Sequence, residues 1–129
     1  MTGRYLVDTN VIIAALKEEE DAVRQLNALG EVFVSSIVIG ELYFGAVKSE
    51  HPTANVQRID QLCERIALLC CDQDTARAYG EIKAALRALG RPIPENDIWI
   101  AATAIQHGLT LITRDAHFES VAGLSLTRS

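Results

Sequence analysis

Short apolar runs alternate along the chain with longer stretches in which apolar residues recur every three to four positions. These are the periods of buried strands and amphipathic helices. Tyr5-Leu6-Val7 marks a strand over about residues 4–8, and a helix runs from Asn10 or Val11 to Lys17. The acidic run Glu18-Glu19-Glu20-Asp21 starts a second helix ending near Gly30, because carboxylates suit the electropositive first turn. A second strand follows over 31–35, then a helix over about 38–49 with Pro52 marking its end. Val56, Ile59, Leu62, Cys63 and Ile66 trace another amphipathic helix.

Residues 67–71 read as a short strand, and Asp72-Gln73-Asp74-Thr75 caps a long helix. Its stripe is Ala76, Tyr79, Ile82, Leu86 and Leu89, stopped by Gly90. Arg91-Pro92-Ile93-Pro94 is a stiff extended connector, since each proline disfavours helix in the residue before it. Ile98, Ala101, Ala102 and Ile105 mark the buried face of the next helix, which Gly108 closes. A strand over 109–113, a turn and an edge strand over 124–127 complete the series. Strands that alternate with helices predict an α/β fold, a parallel sheet flanked by helices, in a single domain over residues 1–129.

Composition supports that frame. A chain of 129 residues with 49% hydrophobic and 5% aromatic residues builds an Ala/Leu/Ile/Val core without needing disulfides. No apolar run reaches the roughly 18–20 residues that span a bilayer. Met1-Thr2-Gly3-Arg4 leads straight into a strand, so no signal peptide is read and a cytoplasmic protein is expected. Cys63, Cys70 and Cys71 lack C-x-x-C spacing and are expected to be reduced, mostly buried thiols. The net charge of −5 argues against indiscriminate nucleic-acid binding, yet leaves room for a nuclease whose acidity lies in a metal site.

Four acids change the picture. Asp8 and Asp115 each follow a strand, at the carboxyl edge where parallel sheets collect functional groups. Asp97 opens an alanine-rich helix, and Glu41 interrupts an apolar run. Singly, each has an ordinary reading. Asp8 suits a helix cap, Asn96 or Asp97 suits another, and Asp115 suits a turn. Glu41 shares a face with Ile37, Val38, Phe44 and Gly45, so it points inward or into a cleft and needs a partner, an arginine being the structural choice. Gly45 would let another backbone approach beside it. No lysine or histidine is regularly placed beside the four acids, so together they point to divalent metal and phosphodiester chemistry.

Other candidates are weaker. His107 complements a helix dipole, His51 is a solvated loop residue, and His117 reads as solvated, with substrate contact the alternative. Arg114 adjoins an acid and would hold a phosphate or a carboxylate, Asp115 included, its ordinary reading being structural or solvated. Lys83, Arg87 and Arg91 form a basic stripe or a solvated face.

The residues amount to a resemblance. Asp8-Thr9-Asn10 resembles the opening D-T-[NS] of PIN-domain ribonucleases, and Glu41-Leu42-x-x-Gly45 resembles their E-L-x-x-G. The segment from Asp97 to Ala104 resembles D-x-x-I-A-A-T-A, and Thr113-Arg114-Asp115-x-x-Phe118 resembles T-x-[DN]-x-x-F. The chain is most similar to the VapC toxins of toxin–antitoxin pairs, over essentially its whole length. That resemblance implies a three-layer α/β/α PIN fold and an endoribonuclease using one or two Mg²⁺ or Mn²⁺ ions held by Asp8, Glu41, Asp97 and Asp115. Thr9, Asn10, Thr113 and Arg114 would orient carboxylates, water or phosphate. It also implies cleavage by metal-activated water that inhibits translation and growth, an RNA substrate and a VapB-type antitoxin. A homodimer is expected from the resemblance and from the many apolar helices.

Rival classes fit less well. A receiver domain of two-component signalling needs an acidic pair after strand one and a lysine after its last core strand. A haloacid-dehalogenase-like phosphatase needs a second acid where Asn10 stands. A catalytically silent PIN scaffold acting through protein contacts remains the alternative, against which the intact acids argue.

Overall fold

A computed structural model describes residues 3–129. Its elements, in chain order, are β1 (Arg4–Val7), α1 (Thr9–Leu16), α2 (Glu20–Ala28), β2 (Glu31–Ser35), α3 (Ser36–Val47) and α4 (Pro52–Cys63). There follow β3 (Ala67–Leu69), α5 (Gln73–Ala88), α6 (Glu95–His107), β4 (Thr110–Thr113), a 3₁₀ turn over Ala116–Ser120 and β5 (Leu126–Arg128). The five strands form one parallel sheet in the order β3-β2-β1-β4-β5. From β1 the chain steps outward to β2 and β3, then returns past both to β4. Crossovers on either side of β1 lay helices over both faces, giving three layers.

The core follows from the apolar runs. Leu6, Val7, Val34, Leu111 and Ile112 are buried in the central strands, and Val11, Val38, Ile98, Ala101 and Ala102 press down from helices. β1 and β4 are buried almost throughout, as parallel strands covered on both faces are. Gly108 ends α6 at φ 65°, a left-handed conformation that favours glycine, and releases the chain into β4.

Several boundaries differ from the sequence reading. β3 stops at Leu69 and β5 starts at Leu126, because these edge strands are paired on one side and end where the ladder ends. Pro52 opens α4 at its first position, where a missing N–H costs nothing. The α5 cap is as expected, with Asp72 and Thr75 bonding each other's backbone amides, but the buried stripe is Thr75, Ile82 and Leu86. Ala76 and Leu89 face outward, as does Ile105 on α6. Asn96 and Asp97 do not cap α6; Pro94 occupies that position and Asp97 lies in the first turn. The thiols are free, but Cys70 and Cys71 are exposed and Cys63 is half-buried, because β3 is an edge strand with an open face. None of the described helices is long and apolar enough to cross a membrane.

Candidate active site

The reversal of strand order between β2 and β4, on either side of β1, opens a crevice at the carboxyl ends of β1 and β4. Asp8 is the next residue after β1. Its backbone N–H continues the ladder to Ile112 O at 2.9 Å, which drives the carboxylate to the crevice floor at 4% exposure. Oδ1 accepts from the Thr9 amide at 2.8 Å, so Asp8 also caps α1. Oδ2 accepts from Thr113 Oγ1 at 2.7 Å and, more weakly, from Asn10 Nδ2 at 3.4 Å.

The other acids arrive on three separate elements. Ser35 starts α3 by accepting from the Ile37 amide at 3.1 Å, which sets Glu41 in the second turn. Glu41 Oε1 accepts from Thr9 Oγ1 at 2.6 Å, and Oε2 lies 3.5 Å from Asn96 Nδ2. Asp97, in the first turn of α6, benefits from that helix's positive end. Asp115 is positioned through its backbone, which donates to Thr113 Oγ1 at 3.0 Å. Thr113 therefore fixes two acids with one hydroxyl, donating to Asp8 and accepting from Asp115.

These four carboxylates line one cleft of about 550 Å³ together with Thr9, Asn10, Ile13, Pro94, Glu95, Asn96 and His117. No lysine or arginine lines it among the described residues. Burial, more than any other influence, raises the proton affinity of Asp8; the Thr113 hydroxyl and Thr9 amide pull it back, and Glu41 and Asp115 push it up again. Asp97 is raised in the same way, first by burial, with His117 opposing and Asp8 and Glu41 adding repulsion.

The structure departs from the sequence reading at His117 and along the face carrying Glu41. His117 is not solvated. Its Nδ1 lies 2.8 Å from Asp115 Oδ1 and its Nε2 contacts Asp97 Oδ2, so a histidine does stand beside the acids. The cause is tertiary: the 3₁₀ turn seats Phe118 fully in the core and swings the preceding ring back over the cleft. The sequence held a partial cue, a histidine two residues after one acid and directly before a large apolar residue. Arg114 does not reach Asp115; its guanidinium pairs with Glu19 at 3.2 Å, while its backbone amide donates to Asn10 Oδ1 at 3.2 Å. The face carrying Glu41 is not uniformly inward, since Phe44 is 66% exposed, and no other backbone among the described residues approaches Gly45. Glu41 has no arginine partner in the cleft among the described residues.

The beginning of α6 is braced from α5. Tyr79 stacks on Trp99 with centroids 4.1 Å apart, and Lys83 and the Tyr79 hydroxyl both hold the Glu95 carboxylate. Gln106 donates to Asp72 Oδ1 at 2.8 Å near the other end of α6. Asp97 thus sits on a helix fixed at both ends.

A model of the PIN domain family matches residues 5–124. Ribonuclease VapC2 of Haemophilus influenzae is 40% identical over 124 residues, which cover 94% of each chain. The chain belongs to the PIN-domain family, in its VapC branch. The tRNA(fMet)-specific endonuclease VapC of Shigella flexneri is 36% identical, again over 94% of each chain. Among solved structures, VapBC2 of Rickettsia felis bound to a DNA fragment from its promoter superposes with a TM-score of 0.91 at 28% identity, over 97% of this chain and 98% of that one. The family resemblance read from the four motifs and the α/β/α sheet expected from it are both borne out.

Proposed function

We propose that this PIN domain is a Mg²⁺- or Mn²⁺-dependent endoribonuclease serving as the toxin of a toxin–antitoxin pair. The observation that carries the reading is the convergence of Asp8, Glu41, Asp97 and Asp115 in one cleft without a lysine or arginine among the described lining residues. Buried like charges need a counterion, and hard oxygen donors fit a hard divalent cation. Asp8, Glu41, Asp97 and Asp115 are the residues that would hold it. When bound, such an ion makes water more acidic near neutral pH and polarises a phosphate.

The chain's own residues supply orientation. Thr113 holds Asp8 Oδ2 and the Asp115 backbone in fixed relation, and Thr9 aims Glu41. Asn10 ties the first turn of α1 to the segment after β4 through the Arg114 amide. RNA is the substrate class that the ribonuclease relatives favour, and water as nucleophile predicts 5′-phosphate and 3′-hydroxyl ends.

An antitoxin of the VapB type is the proposed partner, as the VapBC complexes among the structural relatives support. An apolar groove of about 260 Å³ lined by Ile13, Leu16, Leu42, Gly45 and Ile59 meets the acidic cleft at Ile13 and Glu41. A bound segment lying there would carry a basic side chain into the acids. The deciding experiment is RNA cleavage by the wild type, Asp8→Asn and Asp97→Asn, each with Mn²⁺ and with excess EDTA. Loss of cleavage by orders of magnitude in both variants and in EDTA is expected. Equal cleavage in all arms, or mainly 2′,3′-cyclic phosphate products, refutes the mechanism.

A further inference from the structure

His117 does more than neighbour the acids. One ligand atom each from Asp97, Asp115 and His117 lies within 4.8 Å of the others, close enough for all three to face one ion. The ring is not free to wander: Phe118, the next residue, is fully buried and packs at 5.2 Å from it. Both ring nitrogens face carboxylate oxygens, Nδ1 toward Asp115 and Nε2 toward Asp97. An imidazolium donating from both nitrogens satisfies the two carboxylates, and so does a neutral ring that donates from one nitrogen and binds a cation with the other. Donating one N–H to a carboxylate while the other nitrogen binds metal is the usual way a protein holds a ligating histidine.

We propose that His117 is a nitrogen ligand of the divalent cation through Nε2, beside Asp97, with Asp115 positioning the ring through Nδ1–H. This rests on the reading of the acidic cleft as a metal centre. Its consequence is selectivity. Imidazole is a softer donor than carboxylate or water, so one nitrogen among oxygens favours Mn²⁺ over Mg²⁺, and an all-oxygen site lacks that bias.

The test uses the full chain loaded with Mn²⁺ and needs no substitution for its decisive arm. Pulsed electron paramagnetic resonance is expected to show ¹⁴N modulation from a directly bound imidazole, replaced by the ¹⁵N pattern when histidine alone is ¹⁵N-labelled. By calorimetry, His117→Gln is expected to weaken Mn²⁺ binding by about tenfold or more while Mg²⁺ binding changes far less. Asp97→Asn serves as the control that locates the ion in the cleft. Mn²⁺ that binds the wild type, is lost in Asp97→Asn and shows no nitrogen coupling overturns the histidine ligand and leaves the acidic centre standing. Absence of Mn²⁺ binding to the wild type, or binding indifferent to Asp97→Asn, overturns the metal centre and His117 with it.

Discussion

Replacing Thr113 by valine keeps the shape of a side chain that is 2% exposed and exchanges its hydroxyl for a methyl. That hydroxyl donates to Asp8 Oδ2 at 2.7 Å and accepts the Asp115 amide at 3.0 Å. A hydrogen bond to a buried charge contributes about 1.5–3 kcal/mol, and an orphaned, partly buried amide costs on the order of 1 kcal/mol more. Burying the extra methyl returns somewhat under about 1 kcal/mol. The net loss is about 2 kcal/mol, or roughly 8 °C in Tm for a domain of this size.

The pH dependence separates this account from a packing defect. Burial already lifts the folded Asp8 pKa above its ordinary value, and the Thr113 bond is the foremost influence pulling it back. Without that bond the folded pKa rises further while the unfolded value stays put. A group raised in the folded state contributes stability below its unfolded pKa and loses it as pH rises through the folded pKa. The deficit of Thr113→Val is therefore largest at pH 7–8 and narrows toward pH 4, where Asp8 is increasingly protonated in both proteins. Urea denaturation in EDTA across that range measures it. A variant within about 0.5 kcal/mol of the wild type at pH 7.5, or a deficit that grows on acidification, refutes the reasoning.

Asp97→Asn removes a carboxylate that burial disfavours, so in EDTA its Tm is expected to equal or slightly exceed the wild-type value. In Mn²⁺ at about 100 times Kd the wild type gains about 2.7 kcal/mol by mass action and the variant gains much less; a variant far less stable in EDTA yet equally stabilised by Mn²⁺ would give Asp97 a structural role instead. Thr9→Val frees Glu41 Oε1 from its 2.6 Å donor at a half-exposed site. Cleavage is expected to fall about 10–100-fold, with the melting curve little moved, and unchanged cleavage refutes Thr9 as the group that orients Glu41. Phe44, Val47 and Leu89 are each more than 60% exposed, more large apolar surface than one core covers. Light scattering at micromolar concentration is expected to give twice the 14.1 kDa chain mass, and a single-chain mass throughout refutes a stable dimer.

The alternation of strand and helix was legible because β1 and β4 are buried on both faces and leave unbroken apolar runs. Edge strands β3 and β5 are exposed on one side, so their ends depend on where the neighbouring ladder stops and no local pattern records them. The four acids were visible through their placement after strands and within the motifs. Their supports were visible as residue types but not as contacts: that one Thr113 hydroxyl serves both Asp8 and Asp115 depends on β4 lying beside β1. His117 was misread because only the burial of Phe118 turns its ring onto the acids. Arg114 takes a structural role, its ordinary reading, though its partner Glu19 was not legible because the pairing is tertiary.

The span of the Thr113–Asp8 bond bears on the order in which the cleft is assembled. The two residues stand 105 positions apart, and His117 and Asp115 lie beyond Thr113. Synthesis delivers β1, β2 and β3 first, yet the crevice has no second wall until β4 inserts beside β1. A ribosome partway through the message holds a chain with Asp8 and Glu41 but neither Thr113 nor Asp115, and so no assembled pocket. The cleft therefore forms only once β4 has been made, not while the first three strands are emerging. A chain ending before residue 113 lacks both the hydroxyl that holds Asp8 and the Asp115 carboxylate, and so cannot form the cleft that the four acids line.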